Sequence, residues 1–150
     1  AIGGEFVYRT SQELFGGRRV VIFSLPGAFT PTCSSQQLPG YERLYDEFRA
    51  LGIDEIYCLS VNDAFVMNEW AAKLNIKNVK VIPDGACAFT DGIGMTTDLS
   101  AIGFGKRSKR YAMIVNNGEV EVFLPEPDAT AENSDPYGVS SPENVMKYLG

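Results

Sequence analysis

The chain reads Val20-Val21-Ile22-Phe23-Ser24-Leu25 and then Pro26-Gly27-Ala28-Phe29-Thr30-Pro31-Thr32-Cys33. The first stretch is apolar, β-branched and aromatic, which is typical of a buried strand, and Pro26 ends it. The second stretch predicts a short turn that delivers Thr30 and Cys33 to the start of a helix. Backbone N–H groups at a helix N-terminus have no partner within the helix, and the helix dipole is positive there. This environment favours the thiolate of Cys33, which is the reactive form of a cysteine.

The rest of the chain alternates strand and helix patterns. Pro39 is expected to kink or interrupt the helix that follows Cys33, Asp63 to cap the next helix, and Pro142 to begin the last one. The Asn116-Asn117-Gly118 sequence predicts a tight hairpin turn. The predicted strands cover residues 5–9 (an edge strand), 19–25, 53–61, 79–82, 110–115 and 119–124. Helices are predicted from Ser11 to Phe15, along the stripe Tyr41, Leu44, Tyr45, Phe48 and Leu51, along Val66, Trp70 and Leu74, and within residues 88–94 and 98–102.

This order, βαβαβ followed by a hairpin and a helix, predicts an α/β fold with a mixed central sheet flanked by helices. It is the thioredoxin-like order. We find no repeat or linker, so residues 1–150 are expected to form one domain.

Composition excludes several classes of function. The net charge of −6, from 13 basic and 19 acidic residues, argues against nucleic acid or an anionic membrane as partner. Lys106, Arg107, Lys109 and Arg110 are a local exception that could serve an anionic thiolate. Because the chain has no histidine, an activated cysteine must depend on helix N–H groups, hydroxyls or arginine.

The three cysteines, Cys33, Cys58 and Cys87, are odd in number and form no CxxC pair. This pattern does not indicate a secreted disulfide framework and fits a reducing compartment. We expect a cytoplasmic protein, or one from an organelle matrix if a transit sequence has been removed. The sequence predicts no membrane span, metal site or bound cofactor.

PxxxTxxC is the active-site motif of the peroxiredoxins, and Pro26 to Cys33 resembles it residue for residue. Further stretches resemble the peroxiredoxin-5 group, which includes plant type II peroxiredoxins and the peroxiredoxin domain of bacterial peroxiredoxin–glutaredoxin hybrids. These stretches are Leu38-Pro39-Gly40-Tyr41, Gly52-Ile53-Asp54-Glu55-Ile56, Leu59-Ser60-Val61-Asn62-Asp63-Ala64-Phe65-Val66-Met67 and Gly103-Phe104-Gly105-Lys106-Arg107-Ser108-Lys109-Arg110-Tyr111. One departure is Gln37, where the family often has histidine.

The resemblance implies a thiol-dependent peroxidase that reduces hydrogen peroxide and alkyl hydroperoxides through a sulfenic acid on Cys33. Thr30 would hydrogen-bond the thiolate and the peroxide, Arg110 would lie beside the sulfur, and Pro26 would shield the pocket. Each has a plainer alternative. Thr30 could serve only as a helix N-cap, Pro26 only as a strand terminator, and Arg110 only as a surface cation with Arg107 as its rival in the site.

Two routes for reducing the sulfenic acid stay open. Cys58 lies at the spacing of the resolving cysteine in plant-type members, but it falls within a predicted strand and could equally be core filler. The other route is glutathione with glutaredoxin, as in the hybrids, or a thioredoxin as the dithiol reductant. Cys87 is expected to be incidental.

Other readings of the chain are a redox sensor or a chaperone-like binding protein that uses Cys33 for signalling. A disulfide oxidoreductase is disfavoured by the missing CxxC pair, and a nucleotide-binding loop at Gly103-Phe104-Gly105-Lys106 by its incomplete motif. The family also suggests a homodimer, with Phe29, Phe65 and Phe104 as candidate contacts or, alternatively, core residues.

Overall fold

A computed structural model describes residues 15–30, 36–127 and 137–149. The strands are β1 (Arg19–Ser24), β2 (Glu55–Ser60), β3 (Lys80–Pro83), β4 (Thr96–Asp98), β5 (Lys106–Ser108), β6 (Tyr111–Asn116) and β7 (Glu119–Pro125). The α-helices are α1 (Leu38–Arg43), α2 (Tyr45–Ala50), α3 (Ala64–Lys73), α4 (Ala88–Gly92) and α5 (Pro142–Met146), and a 3-10 turn covers Ser100–Ile102. The predicted edge strand at 5–9 and the Ser11 cap lie outside the described residues.

Five strands form the central sheet in the order β3-β2-β1-β6-β7. β1 and β2 are parallel, as are β2 and β3, whereas β6 is antiparallel to both β1 and β7. The predicted α/β class with a mixed sheet is confirmed. β1 therefore lies in the middle of the sheet, and the turn that follows it opens at the carboxyl end of a central strand.

The central strands β1, β2 and β6 are buried on both faces of the sheet, and β1 is accordingly apolar at consecutive positions rather than alternate ones. Val21 and Phe23 point to one face and Val20 and Ile22 to the other. The first face packs on α1, α2, α3 and α5, through Leu38, Tyr41, Phe48, Met67, Trp70 and Val145. The second face packs on Phe15, Phe89 and Met95. Helices thus hold the central strand, and the turn after it, in a fixed position.

The local turn and cap predictions are confirmed. The hairpin between β6 and β7 turns at Asn117 (φ 50°) and Gly118 (φ 82°), both in the left-handed region that asparagine and glycine tolerate. The Asp63 side chain accepts a hydrogen bond from the Val66 N–H, 2.8 Å away, and so caps α3. Ser141 caps α5 in the same way, with Pro142 in the first turn.

Two details differ from the sequence prediction. Pro39 lies in the first turn of α1, where its missing N–H costs nothing, and the helix breaks instead at Leu44 (φ −99°, ψ 11°). In addition, β4 and β5 pair as a separate two-stranded ribbon within a region predicted to be loop with short helices. Both strands are only three residues long and polar, so no alternating apolar pattern marks them.

Within the described ranges, every helix is too short and too polar to cross a membrane.

Candidate active site

The turn after β1 is held in an unusual conformation. Phe29 has φ 63°, a left-handed angle that is costly for a residue with a bulky side chain. Two hydrogen bonds fix the turn around it: the Ala28 N–H donates to Asn62 Oδ1 (3.0 Å), and Thr30 Oγ1 donates to the Gly27 carbonyl (2.7 Å). The Thr30 hydroxyl proton is therefore engaged, and its oxygen presents lone pairs to any other donor.

Arg107 fastens this turn to the loop before β5. Its Nε donates to the Phe104 carbonyl (3.0 Å) and its Nη1 to the Pro26 carbonyl (3.4 Å). The guanidinium carbon also lies 5.2 Å from the centre of the Phe104 ring. A methyl group on Gly27 would come within 2.9 Å of Arg107 Nη1, so the glycine makes room for the guanidinium.

Arg110 lies deeper, with only 5% of its surface exposed. Its Nη1 donates to Gln37 Oε1, and its guanidinium carbon lies 5.8 Å from the centre of the Tyr137 ring. Ser24 at the end of β1 donates to the Ser108 hydroxyl (2.7 Å), which anchors β5 and the residues after it to the sheet. The buried position argues against the plainer reading of Arg110 as an ordinary surface cation.

Cys33 lies outside the described residues. The described residues nearest to it along the chain are Thr30 and Gln36, each three residues away. Arg107 contacts the turn that ends at Thr30, and Arg110 contacts Gln37. Two guanidinium groups thus contact residues that precede and follow, along the sequence, the stretch that carries Cys33. Donors of this kind can stabilise a thiolate and the negative charge that develops on a leaving oxygen.

Residues 137–140, here called the strap, are tied to Glu126 directly after β7, and Tyr137 of this strap packs on Arg110. Glu126 Oε2 accepts hydrogen bonds from the Gly138 N–H (2.8 Å), the Ser140 N–H (2.8 Å) and the Ser140 hydroxyl (2.6 Å). Tyr41 of α1 donates to the Ser140 carbonyl (2.5 Å). Tyr137 directly precedes the anchored Gly138. Burial, and then the charge of Glu143, raise the pKa of Tyr137 to about 12, so its phenol keeps its proton at neutral pH.

The other two cysteines differ in position. Cys58 is fully buried in β2, paired with Phe23 of β1 on one side and Val81 of β3 on the other. Its side chain belongs to the core beneath α1, so a disulfide with Cys33 would require this part of the core to open. Cys87 is the N-cap residue of α4, and its Sγ lies 3.5 Å from Thr96 Oγ1 on the ribbon.

Sequence reasoning missed three of these contacts. Gln37 stood out only as a departure from the family, yet it holds the buried Arg110 through its Oε1. Tyr137 and Glu126 lie in or next to a polar, proline-rich stretch whose composition predicts only loop. A carboxylate directly after the last strand was the one available signal for Glu126, and it is weak because such residues are common on surfaces.

Comparison with known proteins gives a consistent result. The family model described as Redoxin matches residues 7–137. "Peroxiredoxin" of Rhizobium etli is 54% identical over 155 residues, which cover 99% of this chain and 86% of that protein. "Hybrid peroxiredoxin hyPrx5" of Haemophilus influenzae is 48% identical over 147 residues, covering 98% of this chain and 60% of that protein.

Among solved structures, that of reduced Prx3 in complex with hydrogen peroxide from Vibrio vulnificus superposes with a TM-score of 0.89 at 41% identity. The superposition covers 96% of this chain and 87% of that one.

Proposed function

The chain belongs to the peroxiredoxins, which are thiol-dependent peroxidases with a thioredoxin-like fold, and on that premise we propose that it reduces hydrogen peroxide and alkyl hydroperoxides through a sulfenic acid on Cys33. The observation that carries the proposal is that two guanidinium groups contact described residues before and after Cys33 in the sequence. Arg107 holds the turn before it, and the buried Arg110 contacts the residue four places after it.

The first chemical step is attack of the Cys33 thiolate on one peroxide oxygen. The O–O bond breaks, the attacked oxygen stays on sulfur as a sulfenic acid, and the other oxygen leaves as water or alcohol after taking up a proton. The two sulfur electrons that form the S–O bond reduce the peroxide. Thr30 accepts a hydrogen bond from the incoming hydroperoxide O–H, since its own proton is donated to Gly27. Arg110 stabilises the charge on the departing oxygen.

Regeneration of the thiol is proposed to use glutathione rather than Cys58. The Cys58 side chain is fully buried between two neighbouring strands, which makes it a poor partner for a disulfide. One glutathione condenses with the sulfenic acid, forming a mixed disulfide and water. A second thiol, from glutaredoxin or another glutathione, then attacks the mixed disulfide and releases the Cys33 thiol. Similarity to the hybrid peroxiredoxin supports this route.

Mass spectrometry after one equivalent of hydrogen peroxide tests both steps. Without glutathione we expect a gain of one oxygen on Cys33, and with glutathione a mixed disulfide at the same residue. The Cys58→Ala variant is expected to give the same products, and Cys33→Ser neither. A loss of two hydrogens, with Cys33 joined to Cys58 in a disulfide, would contradict the glutathione route. It would indicate a dithiol reductant such as thioredoxin instead. Consumption of a single equivalent of peroxide, with no turnover in excess thiol, would indicate a sensor instead.

The protein is also proposed to form a homodimer through loops beside the active site. Phe29 (50% exposed), Phe65 (64%) and Phe104 (37%) are large apolar side chains that lie at the surface rather than in the core. Phe29 belongs to the turn before Thr30, and Phe104 packs on Arg107. Sedimentation velocity is expected to give twice the chain mass, and Phe65→Glu to shift it toward the monomer. A monomer at all concentrations would contradict the proposal.

This chemistry needs a pool of reduced thiols, so we propose a reducing compartment, either the cytoplasm or an organelle matrix. Fractionation of cells followed by detection of the protein would decide between them.

A further inference from the structure

A polar cavity of about 310 Å³ lies between α1, α5 and the strap. It is lined by Gln36, Pro39, Gly40, Arg43, Tyr137 and Glu143. We propose that this cavity binds the γ-glutamyl end of glutathione and presents the tripeptide thiol to Cys33. The inference rests on the proposed function, because it assigns a binding site to the reductant proposed there.

The position of the cavity suits a thiol that must meet Cys33. Gln36, on its wall, is three residues from Cys33 along the chain. A tripeptide in extended form spans roughly 10 Å, comparable to the reach of three residues. Tyr137, also on its wall, packs against the Arg110 guanidinium. The cavity therefore shares a residue with the contacts of Arg110.

The charges in the cavity match an amino-acid headgroup. Arg43 Nη2 and Glu143 Oε1 form an ion pair at 3.0 Å, and their side chains are 66% and 59% exposed. An exposed pair of this kind contributes little to stability, so a ligand can interpose itself at small cost. The γ-glutamyl group carries an ammonium and a carboxylate on one carbon atom. Its carboxylate suits the planar fork of Arg43 and its ammonium suits Glu143, giving a closed set of four alternating charges.

The walls are fixed before a ligand arrives. Any Cβ on Gly40 would lie 3.2 Å from Pro142 Cγ, so the glycine permits the close approach of α1 and α5 that pairs Arg43 with Glu143. Tyr41, the next residue, anchors the strap through the Ser140 carbonyl. The Tyr137 phenol is neutral at working pH and can donate to a carboxylate. A site assembled in advance loses less conformational entropy when it binds.

The decisive experiment measures the rate constant with which thiols reduce pre-formed Cys33 sulfenic acid. We expect Arg43→Gln and Glu143→Gln each to lower the rate constant for glutathione about tenfold, which corresponds to a loss of roughly 1.4 kcal/mol of interaction free energy with the tripeptide. Cysteinylglycine, which lacks the γ-glutamyl group, is expected to react equally fast with all variants. N-acetylglutathione lacks the ammonium group. Its rate constant is therefore expected to be the same for Glu143→Gln as for the wild type. The matched control is Arg19→Gln, which removes an equal charge from the distant Arg19–Glu121 ion pair.

Wild-type rates with glutathione in Arg43→Gln would overturn the inference, and so would an equal loss with cysteinylglycine. A second measurement separates failure of the site from failure of the recycling route. S-methylglutathione, which cannot react, should shift the NMR signals of Gly40 and Tyr137 in the wild type and not in Arg43→Gln. If glutathione does not reduce the sulfenic acid of the wild-type protein, the proposed recycling is wrong. The titration with S-methylglutathione then tests the binding site independently of that reaction. Absence of the shifts in the wild type would refute the site.

Discussion

Replacement of Arg110 by glutamine is expected to slow the reaction of the protein with hydrogen peroxide by about 100- to 1,000-fold, the loss typical when one preorganised donor to a developing oxyanion is removed. The guanidinium is almost fully buried, and Gln37 and Tyr137 hold it in place. In such surroundings a positive charge acts at full strength, because little water screens it. Arg110→Lys keeps the positive charge but loses the planar, forked arrangement of N–H donors. We expect its rate with hydrogen peroxide to lie between those of the wild type and Arg110→Gln.

The pKa of Cys33 alone cannot account for a loss of that size. Lowering a thiol pKa from about 8.5 to about 6 raises the thiolate fraction at pH 7 roughly thirtyfold. The same change lowers the nucleophilicity of the thiolate roughly tenfold, for a Brønsted slope of about 0.4–0.5. The net gain is only a few-fold. Most of the Arg110 effect must therefore act on the leaving oxygen and not on the ionisation of the thiol.

Stopped-flow kinetics with hydrogen peroxide, together with titration of the Cys33 thiolate, separate the effect of Arg110 on the leaving oxygen from its effect on thiol ionisation. The matched control is Lys106→Gln, which removes an exposed positive charge from β5, four residues before Arg110. Thermal unfolding of each variant separates misfolding from lost chemistry. If the rate of Arg110→Gln falls only as far as the change in thiolate fraction requires, Arg110 does not act on the leaving oxygen.

The largest expected effect on stability comes from Trp70→Ala, which should lower the free energy of unfolding by about 3–5 kcal/mol. Trp70 is 1% exposed and is among the largest fully buried side chains in the described residues. It packs α3 onto the sheet face that also carries Cys58 and Phe23. Removing it leaves a cavity that the surrounding strands cannot fill without moving. Since a domain of this size has only about 5–15 kcal/mol of net stability, little margin would remain.

Urea unfolding followed by far-UV circular dichroism measures the loss. Tryptophan fluorescence is unsuitable because Trp70 is the single tryptophan of the chain. Glu69→Ala on the same helix is the matched control, and as an exposed position it should change stability by less than about 0.5 kcal/mol. Equal midpoints for the two variants would show that the α3 contact does not hold the sheet together.

The central strands, the hairpin and the helix caps could be predicted from the sequence because local chemistry decides them. A run of β-branched residues must be buried, Asn117 and Gly118 accept left-handed angles, and Asp63 satisfies an N–H that the helix leaves open. The ribbon could not be predicted, since its six residues are polar and gain their order from contacts such as the Ser24–Ser108 hydrogen bond. The break at Leu44 likewise coincides with no helix-breaking residue, so the local sequence gives no signal for it.

The same distinction holds for the candidate site. The motif identified Pro26, Thr30 and Cys33 because they are close together along the chain. Arg110 followed from the resemblance, and its roles and those of the motif residues stay predictions. The partners of Arg110 could not be found in this way, because Gln37 and Tyr137 are distant in sequence and each has an ordinary composition around it. Only the folded chain brings them to one guanidinium.

The contact between Gly27 and Arg107 limits how this protein can be altered. The space that a side chain at position 27 would need is occupied by Arg107 Nη1. Because Nη1 is the tip of a flexible side chain, the guanidinium can swing aside to admit a methyl group, but it then gives up its hydrogen bond to the Pro26 carbonyl. Alanine at position 27 therefore fits the backbone and loosens the connection between the turn and the loop before β5. The glycine keeps that connection rather than the fold itself.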